Sequence, residues 1–341
     1  MSDFAGQVHT VLGPIAPAAM GQTMMHEHLL LDISPPEVRS HPGEVITLAN
    51  CGHFRRYSHL NPFNLRLTNE AEAIDEMRDF KAARGGTIVE ATSIGLCRDA
   101  EGLRRIAQAS GVHIIMGASY YVHNYHPADV ASMTETQITD VIVRDVTVGV
   151  NGTGIRAGLI GEVGLYWPMH VDEIKVLRAS SQAQRQTGAP LMIHPGRDPR
   201  APLEAMRIVR EAGGDVQRTI MAHIDRTLFS LADMTELAHT GCCLEFDLFG
   251  KESSYYPLAP IDMPNDAMRI NALMELIAAG YRHQLVVAHD ICYKTCLKKY
   301  GGDGYDHILR NVVPVMHRKG MAAADIEALL VHNPARLMTF V

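Results

Sequence analysis

The feature that most constrains this chain is an alternation. Short runs dominated by Val, Ile, Leu and Met recur along it, separated by longer amphipathic segments. The runs predict strands near residues 22–28, 86–92, 112–118, 157–162, 190–194, 219–223, 242–247 and 284–290. Several are apolar at nearly every position, as in Val112-His113-Ile114-Ile115-Met116-Gly117 and Leu285-Val286-Val287-Ala288. Strands buried on both faces read this way, and that is the pattern of a parallel sheet covered by helices. The intervening segments predict helices over 69–84, 99–110, 170–187, 201–213, 229–240, 265–280 and 305–319. Asn69 or Thr68 is placed to cap the first helix, and Gly85-Gly86 to end it with a left-handed residue.

Eight strands joined by helices form either a closed barrel or a large open sheet. The expectation is an α/β fold, a (β/α)8 TIM barrel, with residues 8–15 as a short N-terminal β-hairpin closing its bottom. No repeat, linker or low-complexity segment divides the chain, so residues 1–341 are read as a single domain. A chain of 341 residues can bury a large core without disulfides or a structural metal.

Composition narrows the setting. A net charge of -7 argues against a nucleic-acid binder, which would usually present a basic face. No stretch approaches the ~20 apolar residues of a membrane-spanning helix, and the start lacks the basic and apolar regions of a secretory signal. The six cysteines are not spaced as a disulfide framework. Cys242 and Cys243 would face opposite sides of a strand. Cys292 and Cys296 have helical i, i+4 spacing, but two ligands alone make a poor metal site. Buried free thiols in a reducing, cytoplasmic setting are expected.

In a barrel of this kind, catalytic groups stand at the C-terminal ends of the strands. The first strand ends Met25-His26-Glu27-His28, and alternation sends both imidazoles to one face with Glu27 opposite. The fourth ends Ile160-Gly161-Glu162, the fifth Ile193-His194, the sixth Ala222-His223, and the eighth His289-Asp290. Glu162, ending so apolar a strand, needs a cation or a hydrogen-bond donor, whereas the histidines and Asp290, taken singly, read equally well as satisfied core histidines or a capping carboxylate. Together they place imidazoles and carboxylates on one barrel mouth. His26, His28 and Asp290 would hold one divalent ion and His194 and His223 another, with Glu162 bridging them at ~3.5–4 Å. The ligand types suit Zn²⁺, with Mn²⁺, Fe²⁺ or Co²⁺ also compatible. A water shared by two such ions loses a proton near neutral pH and becomes the nucleophile. Asp290 could take up a proton during attack and pass it to the leaving group.

These residues resemble a known family. Gly21-Gln22-Thr23-Met24-Met25-His26-Glu27-His28 is similar to the phosphotriesterase signature G-x-T-L-x-H-E-H, with Met24 in place of leucine. Further along, Ile160-Gly161-Glu162-Val163-Gly164, Ile193-His194-Pro195-Gly196-Arg197, His223-Ile224-Asp225-Arg226, Asp247-Leu248-Phe249-Gly250 and Val287-Ala288-His289-Asp290 carry the likeness over the whole chain. It is strongest to the phosphotriesterase-related proteins of the amidohydrolase superfamily, including N-acetyltaurine hydrolases. The resemblance implies that the six residues occupy metal-ligand positions, and it implies a homodimer. The organophosphate-hydrolysing branch carries a carboxylated lysine where this chain has Glu162. The glutamate preserves a bridging pair of oxygens, but triester hydrolysis does not follow from the family name.

For the substrate, Arg197 and Arg226 each stand three residues beyond a ligand histidine. A guanidinium fork suits carboxylate, sulfonate or phosphate oxygens; pairing with Asp198 or Asp225 is the open alternative. Asp225 could also hold a ligand histidine. Tyr121, after the third strand, is a candidate pocket residue. The leading expectation is an amide hydrolase for a small anionic N-acyl substrate. A lactonase or phosphoesterase with the same centre remains open, as does a non-catalytic metal-containing binding protein. Leu29 to about residue 68 is too long for a simple connection and suits a lid or binding loop.

Overall fold

A computed structural model describes residues 4–253 and 256–341. The chain begins with a hairpin of β1 (Val8–Thr10) and β2 (Gly13–Ile15). The sheet that organises the molecule contains β3 (Gln22–Glu27), β6 (Gly85–Glu90), β7 (His113–Ala118), β8 (Leu159–Gly164), β9 (Leu191–His194), β10 (Thr219–Met221), β11 (Cys243–Phe246) and β12 (Leu285–Val287). Each strand pairs in parallel with the next in that order. The ends meet: the Asp290 amide, just past β12, donates to the His26 carbonyl on β3 at 3.0 Å. This is the expected (β/α)8 barrel, observed strand by strand.

Alternation sorts the strand residues into two cores. Met25, Val89, Ile115, Met192, Ile220, Cys243 and Val286 fill the barrel interior, while Met24, Ile88, Ile114, Ile160, Leu191, Met221 and Leu244 pack outward beneath the helices. The hairpin plugs the bottom as expected. Val8 joins the interior cluster, alongside Leu337 and Met338 from the C-terminal helix. The open end is therefore the C-terminal mouth, where polar side chains accumulate.

The helices are α2 (Glu70–Ala82), α3 (Ala100–Ser110), α4 (Glu135–Thr147), α5 (Val171–Thr187), α6 (Ala201–Glu211), α7 (Leu231–Ala238) and α8 (Asp266–Ala278), with α1 (Cys51–Arg56) in the long first connection and α9 (Val313–Arg318), α10 (Ala323–Glu327) and α11 (Asn333–Met338) at the end. Asn69 caps α2 through the amides of Ala71 and Glu72, as expected. Its end differs from expectation. Arg84 is the left-handed residue, with φ at 70°, and Gly85 and Gly86 already belong to the strand. Their role is close approach, since a Cβ on Gly86 would meet the Met20 carbonyl oxygen at 2.1 Å.

Helix α4 was not expected. Eight of its thirteen residues are β-branched, which masks helix propensity. Yet Thr134 and Gln137 form a reciprocal capping box, and Ile138, Ile142 and Val146 make one buried stripe. The helix expected from residue 305 begins instead at Ile308, with a π turn running into α9. Cys292 and Cys296 do not share an α-helical turn; a short 3-10 turn, Lys294–Cys296, lies between and includes the second. All six thiols are free, but Cys97 is exposed and Cys51 and Cys296 are half-buried, so burial holds only for Cys242, Cys243 and Cys292.

The long first connection is tied at its neck. Leu31–Asp32 (β4) pairs antiparallel with Arg66–Leu67 (β5), and the Ile33 amide donates to the Leu65 carbonyl. Residues 33–65 thus leave and return at one point beside the barrel mouth. No helix among the described residues is long and apolar enough to cross a membrane.

Candidate metal centre

A cavity of about 780 Å³ opens at the C-terminal mouth. His28, Glu162, His194, His223 and Asp290 line it, and His26 lies buried beneath. The structure thus brings all six expected ligand residues together: His26 and Glu162 within the last three residues of their strands, His194 at a strand end, and His28, His223 and Asp290 one to three residues beyond.

Glu162 is the hub. Its Oε2 lies 3.4 Å from His26 Nε2, 3.4 Å from His223 Nε2 and 2.8 Å from His194 Nδ1, while Oε1 lies 3.6 Å from His28 Nε2. Asp290 Oδ1 stands 3.4 Å from the same His28 nitrogen. A tetrahedral ion with ligand bonds of 2.0–2.1 Å has donor–donor edges of about 3.3–3.4 Å. Three of these separations match that edge. Moreover, His26 Nε2 is buried without a hydrogen-bond partner among the described residues, whereas its Nδ1 lies 3.2 Å from Glu245 Oε2. An orphaned imidazole nitrogen aimed between carboxylates is what a cation site requires, so the donor set fits a divalent metal. On the second side, His194 Nδ1 is 2.8 Å from both Glu162 Oε2 and His223 Nε2, which are hydrogen-bond contacts.

The charge states of Glu162 and His223 agree with that fit. Burial works to raise the Glu162 pKa, but His194 and His26 overrule it and hold it well below the usual range. Burial, with the Arg226 charge, pushes His223 down to about 3, leaving it neutral and able to ligate. His26 behaves oppositely. Burial works to lower it, yet Glu162 and Glu245 outweigh that and draw positive charge onto its ring.

Most of the supporting residues had not been singled out in the sequence. His28 Nδ1 lies 2.9 Å from Thr92 Oγ1, whose hydroxyl donates to Glu90. Asp247 takes the His223 Nδ1 and amide protons, both at 2.8 Å. That overturns the expectation for Asp225, which instead pairs with Arg269 at 2.6 Å. Glu245, pushed up to about 8 by burial, backs His26. Glu27 points away from the cavity as alternation required, taking the amides of His289 and Ile291 and the His289 Nδ1 proton. A period-two pattern in Cys243-Leu244-Glu245-Phe246-Asp247 was the available signal: two acids on the inward face of an apolar strand.

Both candidate arginines reach the cavity. Arg226 is buried, with Nη2 3.2 Å from His194 Nε2 and 3.1 Å from the Pro195 carbonyl. Arg197 Nε donates to the Tyr256 hydroxyl at 2.9 Å. Neither pairs with a carboxylate among the described residues: Asp198 is taken by Arg200, and Asp225 by Arg269. The Arg197 charge also acts, after burial itself, to lower the Arg226 pKa. Tyr121 lines the same space, its ring edge-on to His194 at 5.0 Å, and burial keeps its phenol protonated.

A (β/α)8 barrel with this centre at its mouth defines a metal-dependent hydrolase. The phosphotriesterase family model matches residues 6–338, and the chain belongs to the phosphotriesterase family. It is 43% identical over its full length to the human N-acetyltaurine hydrolase, also covered completely, and 44% identical to that of Danio rerio. Among solved structures, a resiniferatoxin-binding protein from Rhodobacter sphaeroides superposes with a TM-score of 0.93 at 33% identity, covering 99% of this chain and 98% of that one. A phosphotriesterase homology protein from Escherichia coli, with phosphate in its active site, gives 0.79 at 26%, covering 94% and 99%.

Proposed function

We propose that the protein hydrolyses the amide bond of a small anionic N-acyl compound, of the N-acetyltaurine or N-acyl amino acid type, at a centre of two divalent ions. His26, His28 and Asp290 would hold one ion, His194 and His223 the other, and Glu162 would bridge them. Bound there, the ions supply an activated water near neutral pH and polarise the acyl oxygen; Zn²⁺ suits the donors best.

The chain's own residues do the rest. Asp290 faces the cavity with its Oδ1 beside His28 and is placed to take a proton from the attacking water and return it to the departing amine. Were His194 to serve as a ligand through Nδ1, its ring proton would sit on Nε2. Arg226 Nη2 would then lose an acceptor and be left with the Pro195 carbonyl, so a donor is released toward the cavity. Arg197 lies close enough to act on the same anion. The protonated Tyr121 phenol is a neutral donor in the pocket wall.

The observation that carries this reading is a buried guanidinium, Arg226, beside a half-buried one, Arg197, with no carboxylate paired to either among the described residues. Leaving charge unpaired in a protein interior is costly, and an anionic substrate group removes that cost. Relatives named N-acetyltaurine hydrolase support the same chemistry, since an acetylated aminosulfonate has an amide at one end and a sulfonate at the other. The test is a screen of N-acyltaurines, N-acyl amino acids, lactones and phosphoesters with metal-loaded protein. Preferred turnover of the anionic amides is expected; turnover confined to uncharged lactones or phosphoesters would overturn the assignment.

A further inference from the structure

Asp290 divides its two carboxylate oxygens. Oδ1 stands beside His28 on the metal side, while Oδ2 lies 2.8 Å from Lys251 Nζ. The same ammonium donates to the Asp290 main-chain carbonyl and lies 3.4 Å from Cys292 Sγ. An ammonium has three donors, and all three are directed at residues 290 and 292. None is left for substrate, although Lys251 lines the cavity.

The lysine is itself held. It follows β11, and its carbonyl accepts from Arg269 Nη2 at 2.9 Å. Arg269 is fully buried and fixed by Asp225 at 2.6 Å and Asp266 at 3.0 Å. Asp290, for its part, has φ at 48°, a region that non-glycine residues seldom adopt. Its amide is tied to the His26 carbonyl, and Glu27 fixes the amides on either side. The carbonyl and Oδ2 remain, and Lys251 takes both.

We propose that Lys251 is a positioning residue for the metal centre. By holding Asp290 at two points it keeps Oδ2 away from the cavity floor and turns Oδ1 toward the ion shared with His26 and His28. This rests on the reading of those three residues as ligands, but not on the identity of the substrate. A point-like ammonium on a flexible stem fits two acceptors on one residue; the planar fork of arginine does so poorly.

The test uses full-length protein loaded with Zn²⁺, with Lys251→Met, Lys251→Arg and Lys251→Gln compared with wild type. The first readout is the rate at which a chromophoric chelator strips the ions, and the second is the split between kcat and KM. Lys251→Met is expected to release one ion at least tenfold faster and to lower kcat about 10–100-fold with KM within twofold. Lys251→Arg should recover part of the retention. Should Lys251→Met fail to fold, Lys251→Gln, which keeps a donor, carries the same expectation. Unaltered metal release in the variants overturns the proposal. So does a rise in KM at constant kcat, which would make Lys251 a substrate-binding group. A wild-type protein that takes up no Zn²⁺ overturns the metal reading itself, a failure distinct from the other two.

Discussion

His223 and Asp247 are joined twice: one carboxylate oxygen takes the ring Nδ1 proton at 2.8 Å, the other the main-chain amide at 2.8 Å. The double contact fixes the tautomer that leaves Nε2 without a proton, and it holds His223 at a φ of 57°. Groups that orient a ligand histidine in this way typically account for 10–100-fold in metal affinity. Asp247→Asn should therefore weaken one ion by about that factor, measured by competition with a chelator of known affinity. An unchanged affinity would mean that packing alone positions the ring.

Glu162 touches both halves of the centre, so its removal should be felt by both ions. Metal analysis of wild-type protein is expected to give about two ions per chain, as a bridged hydrolase requires. Glu162→Gln should bring this to one or fewer, with turnover lost. A variant that kept both ions would remove glutamate from the bridging position.

Arg197 and Arg226 make a separate prediction, read in KM. A hydrogen bond to a charged group contributes about 1.5–3 kcal/mol, so Arg226→Ala or Arg197→Met should raise KM for anionic amides by about 10–100-fold. An uncharged ester turned over by the same centre should be little affected. If KM for every anionic substrate stayed constant in both variants, neither arginine would be reading the anion.

At the opposite end, His9 governs an acid limb of stability. Its ring stacks on Phe340 with centroids 4.4 Å apart, and both nitrogens are buried without partners among the described residues. Burial, with the charge of Arg156, lowers its pKa from 6.5 to about 4. The unfolded chain therefore binds more protons between those values, and stability falls as pH drops from about 6.5 toward 4. Thermal melts across that range should show His9→Gln losing less stability than wild type. Parallel curves would locate the acid sensitivity elsewhere.

The barrel, and the gathering of the six candidate residues at its mouth, were legible in the sequence for one reason. Each candidate ends an apolar run, and the fold collects strand ends in one place. The supporting residues were harder to see because their partners come from other strands. Nothing in the local pattern tells that Asp247 serves His223 while Asp225, two residues from the histidine, serves Arg269. Lys251 and Asp290 meet across 39 positions and likewise carry no local mark. Helix α4 was hidden by propensity and recoverable from its cap, since Thr134 and Gln137 signal a start that the β-branched interior obscures.

The ribbon formed by Leu31–Asp32 and Arg66–Leu67 has an evolutionary consequence. It makes residues 33–65 a cassette, anchored at both ends to a single point of the barrel. Closing a longer or shorter insert on such a fixed neck changes the chain entropy by only about 0.6 kcal/mol per doubling of length. The barrel's strand register and the metal centre lie outside the exchange. Changes confined to that cassette would reshape the cavity wall to which Ile33, Pro35, Arg55 and His59 contribute, while the barrel strands stay as they are.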